Sequence, residues 1–286
     1  MSLIFYLGDL KMNKKLSAAL VLAVLATFSV SAFAGNADRS STTCASLPKF
    51  ADLQAALTAA VVPSGGGANA TSTQGFGLPM WATLVDASGR VCAVAKIGGT
   101  DPWPGSRVIS AQKANTANAF STNQIALSTA NLFSAVQPGG SLYGLQHSNP
   151  VNTLVAYRGS ATSFGTASDP MVGLRVGGVN VFGGGLALYD VNKQAIGAIG
   201  VSGDSSCADH NTAWVIREKL IGKGTGSGVV GTSVPGGVGA NGTDNIVYDI
   251  TPNPSGGTGK SAGGFGHAQC NGSNIPPTSP ATAGAY

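Results

Sequence analysis

The chain has 286 residues, a formal net charge of +4, 10% charged side chains, 42 glycines and four cysteines. Near neutrality without a basic cluster leaves little electrostatic footprint for nucleic acid, which excludes that class of partner. The length suits one large domain or two small ones.

The N-terminal residues read as processing signals. Residues 12–34, MNKKLSAALVLAVLATFSVSAFA, carry Lys14 and Lys15, an apolar body from Leu16 to Phe28, and a small-residue Ala32-x-Ala34 end. That is the layout of a secretory signal peptide cleaved after Ala34, so residues 1–34 are upstream sequence and leader. The expectation is a secreted or periplasmic protein without stable membrane insertion after cleavage. A permanent anchor is the competing reading, because the run approaches a bilayer span in length. Exported chains oxidise an even set of cysteines. Of the three pairings open to four cysteines, Cys44–Cys92 with Cys207–Cys270 is favoured, since each bridge ties a terminal segment to a core element. A bridge over a loop that long contributes typically about 2–4 kcal/mol.

Beyond the leader, SLPKFADLQAALTAAVV places Leu47, Phe50, Leu53, Leu57 and Ala60 at helical intervals, stopped before Pro63. A glycine- and serine-rich loop follows, then MWATLVD and RVCAVAK, two apolar runs across Ala87-Ser88-Gly89 that read as an antiparallel hairpin. SRVISAQKANTANAFS has helical spacing with Ser106 as its cap, and a further helix is expected at NQIALSTANLFSAVQ. Residues 144–170 read as loop with one short strand at TLVAYR. Residues 175–204 supply two or three strands, with Val179 and Val181, Leu186 and Leu188, and Ile196 to Val201 as their apolar positions. Gly183, Gly184 and Gly185 let another backbone or a ligand approach closely. The last helix starts at Ser206 as cap with Asp209 as its reciprocal partner, and ends at Gly222. Residues 223–286 are rich in glycine and proline and read as a partly irregular extension tied back by Cys270, with a disordered end at NIPPTSPATAGAY.

Taken together, VDASGRVCAVAK, SRVISAQKANTANAF, GGVNV and AIGAIGVSGDSSCADHNTA resemble the GlcG/HbpS-like haem-binding proteins over residues 47–221. The resemblance implies an α/β domain of the α+β type over residues 35–222, with a profilin-like antiparallel sheet flanked by helices. It also implies homo-oligomeric assembly and haem or a related tetrapyrrole as ligand. Two departures stand out: Asn180 replaces the proline of the family's Gly-Gly-x-Pro element, and FGGGLALYD lengthens the connection that follows.

His210 is the candidate iron ligand, because the first turn of a helix favours the neutral imidazole; its alternative is a capping or surface role. His147 and His267 lie in loops. Arg107 and Lys113 could hold haem propionates or a substrate carboxylate, although six residues of helix leave them roughly 120° apart and the plain alternative is two solvated charges. Gly183, Gly184 and Gly185 complete the expected cofactor-binding set. Asp209 and His210 are the acid/base candidates should the chain be an enzyme on a small carbonyl or acidic metabolite. A third reading is a disulfide-tied interaction protein without ligand, and a non-enzymatic binding protein is favoured. PSGGTGKS imitates a phosphate loop, but Pro254 stands where the first glycine belongs. GVSGD is not a nucleophile elbow, and Asp204, Ser205 and His210 lack the spacing that would define a triad.

Overall fold

The computed structural model describes residues 43–61, 75–97, 102–224, 234–251, 253, 255 and 259–270. The leader, most of the loop after Pro63, the phosphate-loop imitation in part and the NIPPTSPATAGAY end lie outside the described residues.

The fold is an antiparallel sheet with helices on both faces. Helix α1 (Phe50–Ala60) begins where the Asp52 carboxylate accepts the Lys49 N–H at 3.0 Å and buries Leu53, Ala56, Leu57 and Ala60. Strands β1 (Trp81–Asp86) and β2 (Val91–Lys96) form the expected hairpin. Its turn is fixed by Asp86, whose Oδ1 accepts from the amides of Ser88 and Arg90 at 2.9 and 3.1 Å. Helix α2 (Ser106–Phe120), strands β3 (Gly185–Tyr189) and β4 (Ala195–Ser202), and helix α3 (Ser206–Lys219) follow. The strand order is β2-β1-β4-β3, every pair antiparallel.

Side-chain alternation sorts the core into two layers. Ala82 and Leu84 of β1, with Ile199 and Val201 of β4, pack beneath α1 and α3, against Leu57, Trp214 and Ile216. Trp81, Val85 and Ala198 face Val108, Ala111, Ala114 and Ala117 of α2. Both faces of β4 are thus covered, and all eight of its residues are buried. The small residues of α2 allow close approach: a Cβ on Gly200 would lie 2.0 Å from the Ser110 carbonyl oxygen.

Disulfides join Cys44 to Cys92 and Cys207 to Cys270. Among the described residues no helix is long and apolar enough to cross a membrane.

Three local expectations need correction. Residues 123–137 form turns and a single 3-10 turn at Ser134–Val136 rather than a helix. Their backbone groups are claimed by distant partners: Ala126 N–H donates to Gly236 O, Thr129 N–H to Gly185 O, and Ile125 O accepts from Tyr189 Oη. TLVAYR supplies a one-turn helix at Thr153–Ala156, because Asn152 Oδ1 accepts the Leu154 N–H as an N-cap. Val179 and Val181 are buried outside any strand; Val179 N–H donates to Asn149 O and Asn180 N–H to Thr116 Oγ1, so loop and helix groups replace a strand neighbour. Within the glycine-rich extension, Asp244, Asn245, Ile246, Ser261 and His267 are buried, and β5 (Ile250–Thr251) pairs with β6 (Lys260–Ser261).

Candidate functional site

Of the predicted residues, Lys113, Asp209, His210 and the glycines at 183–185 converge on the junction between β4 and α3. Ser205, one residue before the predicted cap, closes the helix start: its Oγ accepts the Ala208 N–H at 3.2 Å. Asp209 therefore turns elsewhere. Its Oδ1 accepts the Asp204 N–H at 2.9 Å, and its Oδ2 lies 2.7 Å from Lys113 Nζ, which also donates to Val201 O at 3.0 Å. Burial pushes Asp209 up to about 6, against the pull of Lys113, and pushes Lys113 below its ordinary value, against the pull of Asp209. Asp204 in turn holds the segment before β1, accepting from Phe76 N–H at 2.7 Å and Leu78 N–H at 2.9 Å.

The glycine triplet is the segment against which this junction packs. Gly184 adopts φ +118°, and a Cβ there would meet Val201 O at 2.2 Å and Asp209 Cβ at 3.2 Å. A Cβ on Gly183 would meet Ser206 O at 2.2 Å, and one on Gly185 would meet Lys113 O at 2.5 Å. The close approach these glycines permit is to protein backbone.

His210 sits one layer deeper, at 0% exposure. Its Nε2 accepts the Ile246 N–H at 3.1 Å, and its Nδ1 has no partner among the described residues. Burial is the main reason its pKa falls to about 3, so the imidazole is neutral. The same stretch of the extension supplies Asp244, which grips Arg217 through two hydrogen bonds of 2.7 and 2.8 Å, both side chains fully buried. Residues 244–247 thus close over α3.

A second histidine completes the junction. His267 Nε2 lies 2.7 Å from Ser206 Oγ, and Ser206 Oγ also accepts the Gly183 N–H at 2.5 Å. His267 Nδ1 lies 2.5 Å from Ala268 O, and its ring contacts Phe133 at 4.8 Å with the planes tilted by 44°. Burial lowers its pKa. Cys207, His267 and Cys270 bring potential metal-binding atoms within 4.8 Å of one another, but the two sulfurs are joined, so neither offers the thiolate a metal needs.

Arg107 and Lys113 do not share a site. Both are 1% exposed rather than solvated. Arg107 pairs with Asp169 through Nε at 2.8 Å and Nη2 at 2.5 Å, donates to Ala156 O, and stacks over Phe164 at 3.6 Å. His147 is exposed on a one-turn helix, Leu145–Ser148. A cleft of about 660 Å³ opens between Gln137, Pro138, Ser141, Asn253 and Lys260; none of the predicted site residues lines it.

Sequence reasoning missed Ser206 and His267 as a pair, and Asp169, Asp204 and Asp244 as anchors. The only signal was local: three acids in a chain with few charges, each beside a turn-forming residue.

A four-stranded antiparallel sheet with α1 and α3 on one face, α2 on the other, and a charged junction where β4 meets α3 defines a mixed α/β class. The chain belongs to the HbpS-like family, whose model, described as haem degrading protein HbpS-like, matches residues 64–216. Among solved structures, the chain is similar to a PduOC:heme complex, 26% identical over 63% of this chain and 98% of that one, with a TM-score of 0.39. It is similar to Klebsiella pneumoniae protein ORFY, 26% identical over 60% and 88% of the two chains, at a TM-score of 0.38. A double mutant of Streptomyces reticuli HbpS is 16% identical over 59% and 84%, at 0.36. No curated protein matches the chain.

Proposed function

We propose that the chain is an exported binding protein for haem or a related tetrapyrrole, acting as a homo-oligomer. The observation that supports this most is membership of the HbpS-like family, whose model spans the sheet and most of α3. Export is supported by the leader pattern in residues 12–34 and by two disulfides, which suit an oxidising compartment.

As arranged, His210 does not fit an iron porphyrin: it is sealed, and its Nε2 is occupied by the Ile246 amide. Arg107 and Lys113 are likewise committed to Asp169 and Asp209. Ligation through His210 requires residues 244–247 to lift, while its neutral state already suits a metal. Were haem bound there, its iron would supply redox and small-molecule-binding chemistry, with His210 as the residue to hold it.

Titration of the purified protein with haemin tests the proposal. The expected result is a saturable Soret shift that develops slowly, limited by that opening, and is lost in His210→Ala. Loss in His147→Ala instead overturns His210 as ligand. A spectrum indistinguishable from haemin in buffer overturns haem binding.

A further inference from the structure

Ser206 and His267 are not needed by the haem reading, yet their geometry is that of an activated hydroxyl. His267 Nδ1 lies 2.5 Å from Ala268 O, a group that can only accept, so Nδ1 carries the proton. With the ring neutral, Nε2 is then a bare acceptor, and Ser206 Oγ at 2.7 Å is the donor that meets it. The serine proton points at the imidazole; one lone pair accepts the Gly183 N–H at 2.5 Å and the other is left for attack. That is the nucleophile and base at hydrogen-bond reach, with the base oriented by a third group, that covalent catalysis requires.

The surroundings supply the remaining parts. Ser206 is the first residue of a helix of 14 residues that follows β4 after a short turn, a strand–turn–helix setting with the positive end of the helix dipole at the hydroxyl. The amide after it, Cys207 N–H, donates to the disulfide sulfur of Cys270 at 3.1 Å, a weak acceptor that a carbonyl oxygen can displace. Ser206 is half-buried rather than sealed. The Phe133 ring lies 4.8 Å from the His267 ring at a tilt of 44°, so an aromatic surface adjoins the base, and Phe182, next to Gly183 in sequence, is 48% exposed.

We infer that Ser206 and His267 form a nucleophile–base pair for acyl transfer from small uncharged esters, aryl esters foremost. Ser206 Oγ bonds to the ester carbonyl carbon while its proton passes to His267 Nε2. Cys207 N–H accommodates the oxyanion of the tetrahedral intermediate. The bond to the leaving oxygen breaks, His267 returns the proton to it, and an acyl-serine remains. Water then attacks the acyl carbon with His267 taking its proton, releasing the acid and restoring the Ser206 hydroxyl, so one ester and one water give one acid and one alcohol.

The test is reaction of the full chain with a fluorophosphonate, read by intact mass and peptide mapping, beside p-nitrophenyl acetate turnover. The expected outcome is one adduct per chain on the peptide holding Ser206. Turnover is expected to fall at least tenfold in both Ser206→Ala and His267→Gln and to decline on acidification as His267 protonates. Ser206→Ala leaves the Ser205 cap intact, and labelling of the unmodified chain needs no variant at all. No adduct on the folded chain, an adduct at another residue, or turnover unchanged in Ser206→Ala would each overturn the inference.

Discussion

At the scale of single residues, His210 gives the protein a dependence on acid. Its folded pKa of about 3 lies below the ordinary 6.5. Between those values the unfolded chain binds a proton that the folded chain refuses, so the contribution of His210 to stability is full above pH 6.5 and falls as pH drops towards 3. The loss at the acid end is on the order of 3–5 kcal/mol. Asp244, Arg217 and His267 act on the same imidazole, the first favouring its charge and the other two opposing it. Asp209, raised to about 6, acts in the opposite sense over part of this range, so the His210 contribution is read as a difference: urea midpoints measured from pH 7 to pH 4 should fall more steeply in the native chain than in His210→Gln, whose amide oxygen can still accept the Ile246 N–H. Equal slopes in the two proteins would remove His210 as the cause.

The elements themselves were largely legible in the sequence. The helical spacing in α1 and α2, the Ala87-Ser88-Gly89 turn between β1 and β2, and the apolar run of β4 each encode a local geometry that local residues enforce. What escaped was set by distance along the chain. Lys113 meets Asp209 across 96 residues and Ser206 meets His267 across 61, and no periodicity records such meetings. Residues 123–137 failed for the same reason, since strand β3 and the extension satisfy backbone groups that a helix would otherwise have used.

The tie between α2 and α3 is a buried ion pair, and it predicts a strongly non-additive cycle. Lys113→Met alone leaves the Asp209 carboxylate buried without its cation, at a cost of about 3–5 kcal/mol. Lys113→Met with Asp209→Asn removes both charges and keeps an acceptor for the Asp204 amide, so most of that loss should return. Denaturant unfolding of the three proteins reads the coupling; additive losses would mean the pair contributes little. The disulfide at the head of α3 is a second tie. Cys207→Ser with Cys270→Ser should lower stability by about 2–4 kcal/mol, with the change in exchange confined to residues 260–270, because Asp244 still holds its own segment to Arg217. Exchange spreading through residues 244–247 would show that the bridge, rather than the ion pair, anchors the extension.

Across the whole molecule, the family-matched residues 64–216 form the sheet and most of α3, while the extension beyond them closes over the junction that the sequence singled out. Its Ile246 amide donates to His210 Nε2, and its His267 meets Ser206. Ligand binding at His210 and the closed extension are therefore mutually exclusive. Amide hydrogen exchange with and without saturating haemin tests this most directly. The closed structure predicts a slowly exchanging Ile246 amide in the free protein, and the haem proposal predicts that this protection collapses when haemin binds. Saturable haemin binding that leaves the Ile246 amide as protected as before would contradict it.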